Sequence, residues 1–299
     1  MNLRQLEYFV AIADAGSVTR AAEQLFVSQP SLSQQIAALE QELGGQLLER
    51  LPRGVRLTAA GQSLLPEARA AIHHADRGRH AVRSALELEA GQIEVAATTA
   101  TAAGVLPTVL RGWQERYPGI EISLLEFLHR RAMVDAVRDG VGDIAVGAHP
   151  HNWPGPVEHL GWEEFKVVLP AEDPLLELRS IRLAALAGRR WVHFAAATGL
   201  AEVLDICCAS AGFSPRVAMR TSQVPAAARF AATGLGPTLM PAHTIPDGLA
   251  DLARPASPPI ARALAAFTRE DWTPLTSAFL AALRAYPWKA KPRRALDLG

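Results

Sequence analysis

Two groups of side chains carry the chemistry of this chain. Near the start, Gln29, Ser31, Ser33 and Gln34 lie close together, all neutral and all able to donate and accept hydrogen bonds. Glutamine can grip adenine through two hydrogen bonds, whereas serine accepts several partners. This is chemistry for reading base edges in a DNA groove, with Gln34 the first choice for discrimination. The second group is spread over the later chain. Thr98, Thr99 and Thr101 offer hydroxyl donors, and Arg130 can pair with a carboxylate. His149, Phe194, Thr198 and Gln223 join them by position, each at the end of a strand or the start of a helix, where open α/β sheets bind ligands.

Catalytic chemistry is not expected, nor is a cofactor. His149, His151 and His159 lack carboxylates at helical spacing or a cysteine partner, so they do not read as a metal site. Cys207 and Cys208 are adjacent, which rules out an ordinary bridge between them, and they read as core packing. Gly234-x-Gly236 precedes a strand, where a dinucleotide fingerprint would follow one, and reads as a turn. His73 and His74 read as exposed on a long helix.

The elements that must hold the first group are legible. Leu3, Leu6, Val10 and Ala13 recur at helical spacing, with Asn2 as cap, Gln5 at the capping-box position and Gly16 as stop. Ser17 caps a short second helix that turns Ala21, Ala22 and Leu25 inward and ends near Leu25. Ser28 caps a third, with Pro30 in its first turn and Leu32, Ile36, Leu39 and Leu43 as its buried stripe. The polar residues named above, with Ala37, occupy its other face. After Gly44 and Gly45, QLLER and VRLT read as two short strands around Pro52-Arg53-Gly54, a wing bearing Arg50, Arg53 and Arg56. Thr58 then caps a helix to about Leu88, with Leu64, Leu65, Ala68, Ile72, Ala75, Val82 and Leu86 on one side and a local bend at Pro66. An amphipathic helix of this length needs a partner, and a second copy is the natural one.

From Gly91 the texture changes to alternating strands and helices, which implies parallel α/β sheets. Strands are expected at IEVAAT, IEISLLEF, DIAVGA, VEHLGW, FKVVLP, WVHFA, VAMR, PTLMP and ALAAFT, with a final helix from about Pro274 to Ala285. KAKPRRALDLG reads as a solvated tail.

The chain has 299 residues, too many for one small core, so at least two domains are expected. Its 30 basic and 30 acidic side chains balance. No stretch approaches the roughly 20 apolar residues of a membrane helix, and the first residues lack the pattern of an export signal, so the cytoplasm is the expected place. Neutrality counts mildly against DNA binding. Residues 1–60 hold Arg4, Arg20, Arg50, Arg53 and Arg56 against Glu7, Asp14, Glu23, Glu40, Glu42 and Glu49. A domain so charged would neutralise few phosphates and show a shallow salt slope, and would need paired half-sites for useful affinity.

The first 60 residues, from LRQLEYFVAIADAGSVTRAAEQLFVSQPSLSQQIAALEQELGGQLLERLPRGVRLTAAG, closely resemble the winged helix-turn-helix of LysR-type transcriptional regulators. Leu48 departs from the usual Phe at a wing position read as buried. The rest agrees in plan and in scattered marks, such as Leu106-Pro107, Tyr117-Pro118, Asp143 and Gly234-x-Gly236-x4-Pro241.

The resemblance implies an α/β chain with an N-terminal all-α winged helix-turn-helix at 1–60, a linker dimerisation helix at 58–88, and a two-lobed periplasmic-binding-protein-like effector domain at 91–299. Lobe one would span about 91–161 and 269–299, and lobe two about 162–268, with crossovers near Trp162 to Pro170 and Ala261 to Thr268. The DNA-contacting set is then Ser17, Thr19, Arg20, Gln29, Pro30, Ser31, Ser33, Gln34, Arg50, Arg53 and Arg56. The stretches around Thr99, Arg130 and Phe194 match effector-contacting loops of the family. Implied partners are double-stranded promoter DNA, a small anionic effector, a second copy through the linker helices, a homotetramer overall, and RNA polymerase. A transporter's solute-binding protein would fit the last 200 or so residues, but should begin with an export signal. An α/β enzyme would need a nucleophile-base pair, metal site or phosphate loop, none of which is visible.

Overall fold

A computed structural model describes residues 1–51, 54–86 and 91–298. The chain divides into two compact units, one of Met1–Gly91 with Arg138–Val141, the other of Gln92–Val137 with Gly142–Gly299.

In the first unit, α1 (Leu3–Ala15) starts in an Asn2–Gln5 capping box and stops at Gly16, whose φ of 61° favours glycine. Helices α2 (Val18–Gln24) and α3 (Gln29–Leu43) are capped by the Ser17 and Ser28 hydroxyls, which accept the N–H groups of Arg20 and Ser31. The buried face of α1 is Gln5, Leu6, Tyr8, Phe9 and Ile12, so the stripe expected along Leu3, Val10 and Ala13 is rotated. The cause is size: burying Tyr8, Phe9 and Ile12 removes more apolar surface from water than burying alanine and a terminal leucine. On α3, Leu32, Ile36 and Leu39 are buried while Leu43 stays 44% exposed, because the helix ends there, beyond the reach of α1 and α2.

Strands β1 (Leu48–Leu51) and β2 (Gly54–Leu57) pair antiparallel as the wing. The Val55 N–H donates to the Gly16 carbonyl, which ties the wing to the end of α1. Leu48 is half-buried, and the fully buried position is its neighbour Leu47. Thr58 caps α4 (Ala59–Leu86) by accepting the Gly61 N–H. Its first half is not without a core: Ala68 is buried, and Leu64, Leu65 and Ile72 pack beside α1. Arg53, residues 87 and 88 of the linker, and the side chains of Arg50, His73, Val82 and Leu86 lie outside the described residues.

The second unit is built on a sheet of order β4-β3-β5-β10-β6-β9, with β11 paired to β10. These strands are β3 (Gly91–Thr98), β4 (Ile120–Phe127), β5 (Ile144–Ala148), β6 (Val157–Val168), β9 (Thr238–Pro241), β10 (Ala253–Phe267) and β11 (Leu296–Asp297). A separate parallel pair is β7 (Arg190–Phe194) with β8 (Arg216–Thr221). The helices are α5 (Thr99–Gly104), α6 (Leu106–Arg116), α7 (Arg130–Arg138), α8 (Gly199–Ser210), α9 (Val224–Phe230) and α10 (Pro274–Arg284). Strands β3 and β5 run parallel, but β6 and β10 form a long antiparallel pair joining two hydrophobic cores. One core gathers Ile93, Trp113, Val146 and Phe279, the other Phe165, Trp191, Phe194 and Leu204.

Two expectations are corrected. VEHLGW and FKVVLP form one strand, because Gly161 does not end it. A Cβ at Gly161 would lie 2.6 Å from the Trp288 Cβ, so close approach explains the glycine. The C-terminal segment is not a solvated tail, since β11 pairs with Ile260 and Ala261, and Leu296 and Leu298 pack on the second core. Its cluster of positive charges conceals the two leucines that decide its place.

Candidate functional site

Gln29, Pro30, Ser31 and Gln34 stand exposed on the outer face of α3. Ser33 is half-buried, and the Gln29 Nε2 donates to its hydroxyl at 3.5 Å. Thr19 and Arg20 are exposed on α2, just past the Ser17 cap. Phe26, which sequence reasoning passed over, heads α3 from a left-handed conformation (φ 55°) with 96% of its surface exposed. Such backbone costs a non-glycine residue roughly 1–2 kcal/mol, and the only available signal was the short interval between two helices. In the wing, Arg56 is not bare: its Nη2 and Nε meet the Glu49 Oε2 at 2.6 and 3.1 Å across the β1–β2 pair. The side chain of Arg50 and the whole of Arg53 lie outside the described residues.

In the second unit a cavity of about 330 Å³ gathers Thr98, Thr99, Arg130 and Thr198. Chain order explains the gathering. Thr98 and Thr99 sit where β3 meets α5, Arg130 opens α7 after β4, and Thr198 caps α8 after β7. Each is at the end of a strand, the position from which side chains converge in α/β folds. The remaining wall includes His129, Glu202, Ile206, Arg262, Asp297 and Leu298, none of which was singled out from sequence. Glu202 and Ile206 carry the helical spacing of α8, but Arg262 and Asp297 come from distant chain.

Four of the residues expected at this site are placed elsewhere. Thr101 is buried behind the wall, its hydroxyl 3.0 Å from that of Thr98. His149 does not line the cavity; its carbonyl accepts a long bond from Arg130 Nη1 at 3.5 Å. Phe194 is wholly buried in the second core, because its aromatic ring gains more there than in a polar cleft. Gln223 is exposed at the head of α9 and makes no side-chain cap bond.

The electrostatics separate the two arginines. Arg262 meets the Glu163 Oε1 at 2.5 Å, and the other oxygen of Glu163 accepts from His243 Nε2 at 2.8 Å. Burial alone would raise the Glu163 carboxyl, but the Arg262 charge and the bonds from His243 and Arg262 hold it below the usual carboxylate range. Arg130 has no carboxylate within ion-pair distance among the described residues. Burial and the Arg262 charge lower its pKa, against an opposing pull from Glu202, yet a guanidinium stays charged in any such site. Glu202 is held 3.2 Å from His129 Nε2. Among the described residues the wall therefore offers one unanswered positive charge beside the hydroxyls of Thr98 and Thr99, while the Thr198 hydroxyl donates to the Ala195 carbonyl and accepts the Ala201 N–H.

Comparison with known proteins assigns both halves. Residues 3–62 match the family described as bacterial regulatory helix-turn-helix protein, lysR family, and residues 86–287 match LysR substrate binding domain. The chain belongs to the LysR family of transcriptional regulators. It is 35% identical over 255 residues to the HTH-type transcriptional regulator TfdS of Cupriavidus pinatubonensis, covering 81% of this chain and 83% of that one. It is 31% identical to the transcriptional dual regulator GltC of Bacillus subtilis, covering 83% of each. Among solved structures, CbnR, a LysR family transcriptional regulator, is matched over 95% of this chain and 98% of that one, with a TM-score of 0.69 and 25% identity. This LysR-type chain is accordingly a regulator rather than an enzyme, with a helix-turn-helix DNA-binding domain and an effector-binding domain. No helix among the described residues is long and apolar enough to cross a membrane.

Proposed function

We propose that this LysR-type regulator reads promoter DNA with α3 and answers to a small monocarboxylate held by Arg130. The reading rests on one observation: among the described residues, Arg130 is the cavity's cation without a carboxylate partner, set among Thr98, Thr99 and Thr198. One unanswered charge suits one carboxylate, which a guanidinium can bind through two parallel hydrogen bonds. A cavity of about 330 Å³ suits a small organic acid.

On the DNA side, Gln34 discriminates bases, with Gln29, Pro30, Ser31 and Ser33 beside it. Ser17, Thr19, Arg20 and the wing arginines Arg50, Arg53 and Arg56 position the phosphates. Dimers form through α4 and associate into a homotetramer, and the cytoplasm is the working compartment. RNA polymerase is the further partner. The effector domain divides into lobes of about 91–161 with 269–299, and 162–268. Effector binding shifts the arrangement of DNA-binding domains, which requires that it bind one arrangement more tightly, so DNA and effector must be reciprocally coupled.

Thermal-shift screening of the full chain against organic acids, amines and neutral compounds tests the effector half. Stabilisation by monocarboxylates that Arg130→Ala abolishes is the expected result. Stabilisation by cationic or bulky apolar compounds alone, unchanged in Arg130→Ala, would overturn it. Footprints on the DNA upstream of its own gene, with and without a stabilising acid, should differ in extent or bending.

A further inference from the structure

The chain beyond α10 forms a strap over the second unit, and the match to the family's substrate-binding domain stops at residue 287, before most of it. Trp288 packs on the first core and donates its indole N–H to the Leu283 carbonyl at 2.7 Å. Its Cβ faces Gly161 on β6. Lys289 then bridges antiparallel to Trp162, and its Nζ lies 3.5 Å from Glu164. Lys291 places its ammonium 4.5 Å from the centre of the Trp162 ring and 2.6 Å from the Asp297 carboxylate. Strand β11 runs beside β10, the Leu298 N–H donates to the Ala261 carbonyl at 3.1 Å, and Leu296 and Leu298 pack on the second core. The strap thus runs from one core to the other across the paired strands β6 and β10. It ends with Asp297 and Leu298 in the wall of the cavity that holds Arg130.

A carboxylate and a leucine in that wall make opposite demands on a ligand. Asp297 is held by Lys291 in an exposed pair, 40% of its side chain open to solvent, so its carboxylate, with Glu202 in the same wall, still disfavours a second anionic group, whereas Leu298 offers apolar surface. We propose that Asp297 and Leu298 set the effector specificity of this regulator, favouring a monocarboxylate with an apolar body over a dicarboxylate. The choice of acid rests on the anion reading above, but the strap's place in the wall does not.

The test uses full-length protein and calorimetric titration with benzoate, phthalate, butyrate, succinate, benzylamine and butylamine. Wild type, Asp297→Asn and Leu298→Ser are compared, with ligand-free melting curves to establish folding. The expected result is that the wild type prefers benzoate to phthalate and butyrate to succinate. Asp297→Asn should narrow both preferences by about threefold or more, as removal of a nearby like charge requires. Leu298→Ser should weaken benzoate more than succinate. If Asp297→Asn fails to fold, Asp297→Ser takes its place, and if Leu298→Ser does, Leu298→Thr takes its place, each with the same expected change.

Folded variants that leave every affinity ratio within about twofold of wild type would overturn the proposal. Should the wild type bind only the amines, the anion reading fails while the wall is still tested, because Asp297→Asn must then weaken them. Absence of binding by any of the six would overturn both, since a cavity that takes no small organic ion has no such specificity to set.

Discussion

Arg262 and Glu163 lie directly opposite each other on β10 and β6, the guanidinium Nη2 2.5 Å from the carboxylate Oε1, with the carboxylate side chain only 1% exposed. The pair joins the two strands that run between both cores, and its cation also lines the cavity that holds Arg130. Removing one partner strands the other's charge in a low-dielectric interior. Glu163→Gln should therefore destabilise the effector domain by about 3–5 kcal/mol in chemical denaturation, with Arg262 left unanswered. The carboxyl is held below its ordinary range in the folded state, so its contribution is present above the unfolded carboxylate value. It is lost as pH falls through the depressed folded value. Denaturation midpoints of wild type should drop on acidification through that window, and those of Glu163→Gln should drop less.

Cys207 and Cys208 lie side by side on α8 with almost no exposed surface. Burial pushes both thiols up to about 12, with the neighbouring Cys207 and Asp205 adding to the effect at Cys208. Since the thiolate is the nucleophile, both should be inert at neutral pH. Ellman's reagent should label neither in the native protein within the time that labels both in denaturant. Prompt native labelling would contradict this packing.

Glu40 caps the wing from a distance: its Oε1 accepts the N–H groups of Leu47 and Leu48 at 2.8 and 3.1 Å. Glu40→Ala leaves two partly buried donors without a partner, at a cost of about 1–3 kcal/mol each if no water replaces the carboxylate. The wing should loosen before α1–α3 do. Hydrogen exchange at residues 47 and 48 should rise while Phe9 and Ile12 remain protected.

The helix-turn-helix is legible in sequence because its signals are local. Asn2, Gly16, Ser17, Ser28 and Gly44 fix where each helix begins or ends, and the structure uses each as cap or stop. The cavity is only partly legible. Thr98, Thr99, Arg130 and Thr198 sit at strand ends, where topology places them, and a reading of element order can find them. Arg262, Asp297 and Leu298 reach the same wall through pairings with β6 and β10, for which neighbouring residues give no sign. Phe194 shows the complementary case: its place at a strand end points to the cleft, but the drive to bury an aromatic ring turns it into the second core.

The proposed phosphate contact of Arg56 makes its pair with Glu49 a control on how strongly the wing holds DNA without regard to sequence. Glu49 occupies Arg56 through two short contacts between side chains that are both about half exposed or more, so the proposed phosphate contact requires the arginine to give up this partner. An exposed pair of this kind contributes no more than about 1 kcal/mol to folding, so its removal should leave the domain folded. Glu49→Gln removes one acidic group from a region holding six against five basic ones, and it releases Arg56. Binding to a nonspecific duplex should then tighten, and the slope of log affinity against log salt should steepen by up to about 0.9 per subunit, the value for one added phosphate contact. Arg56→Ala should weaken binding little relative to wild type, and the double variant should match it. If Glu49→Gln left both affinity and slope unchanged, Arg56 would not be a phosphate contact, and the wing's share of the grip would fall to Arg50 and Arg53.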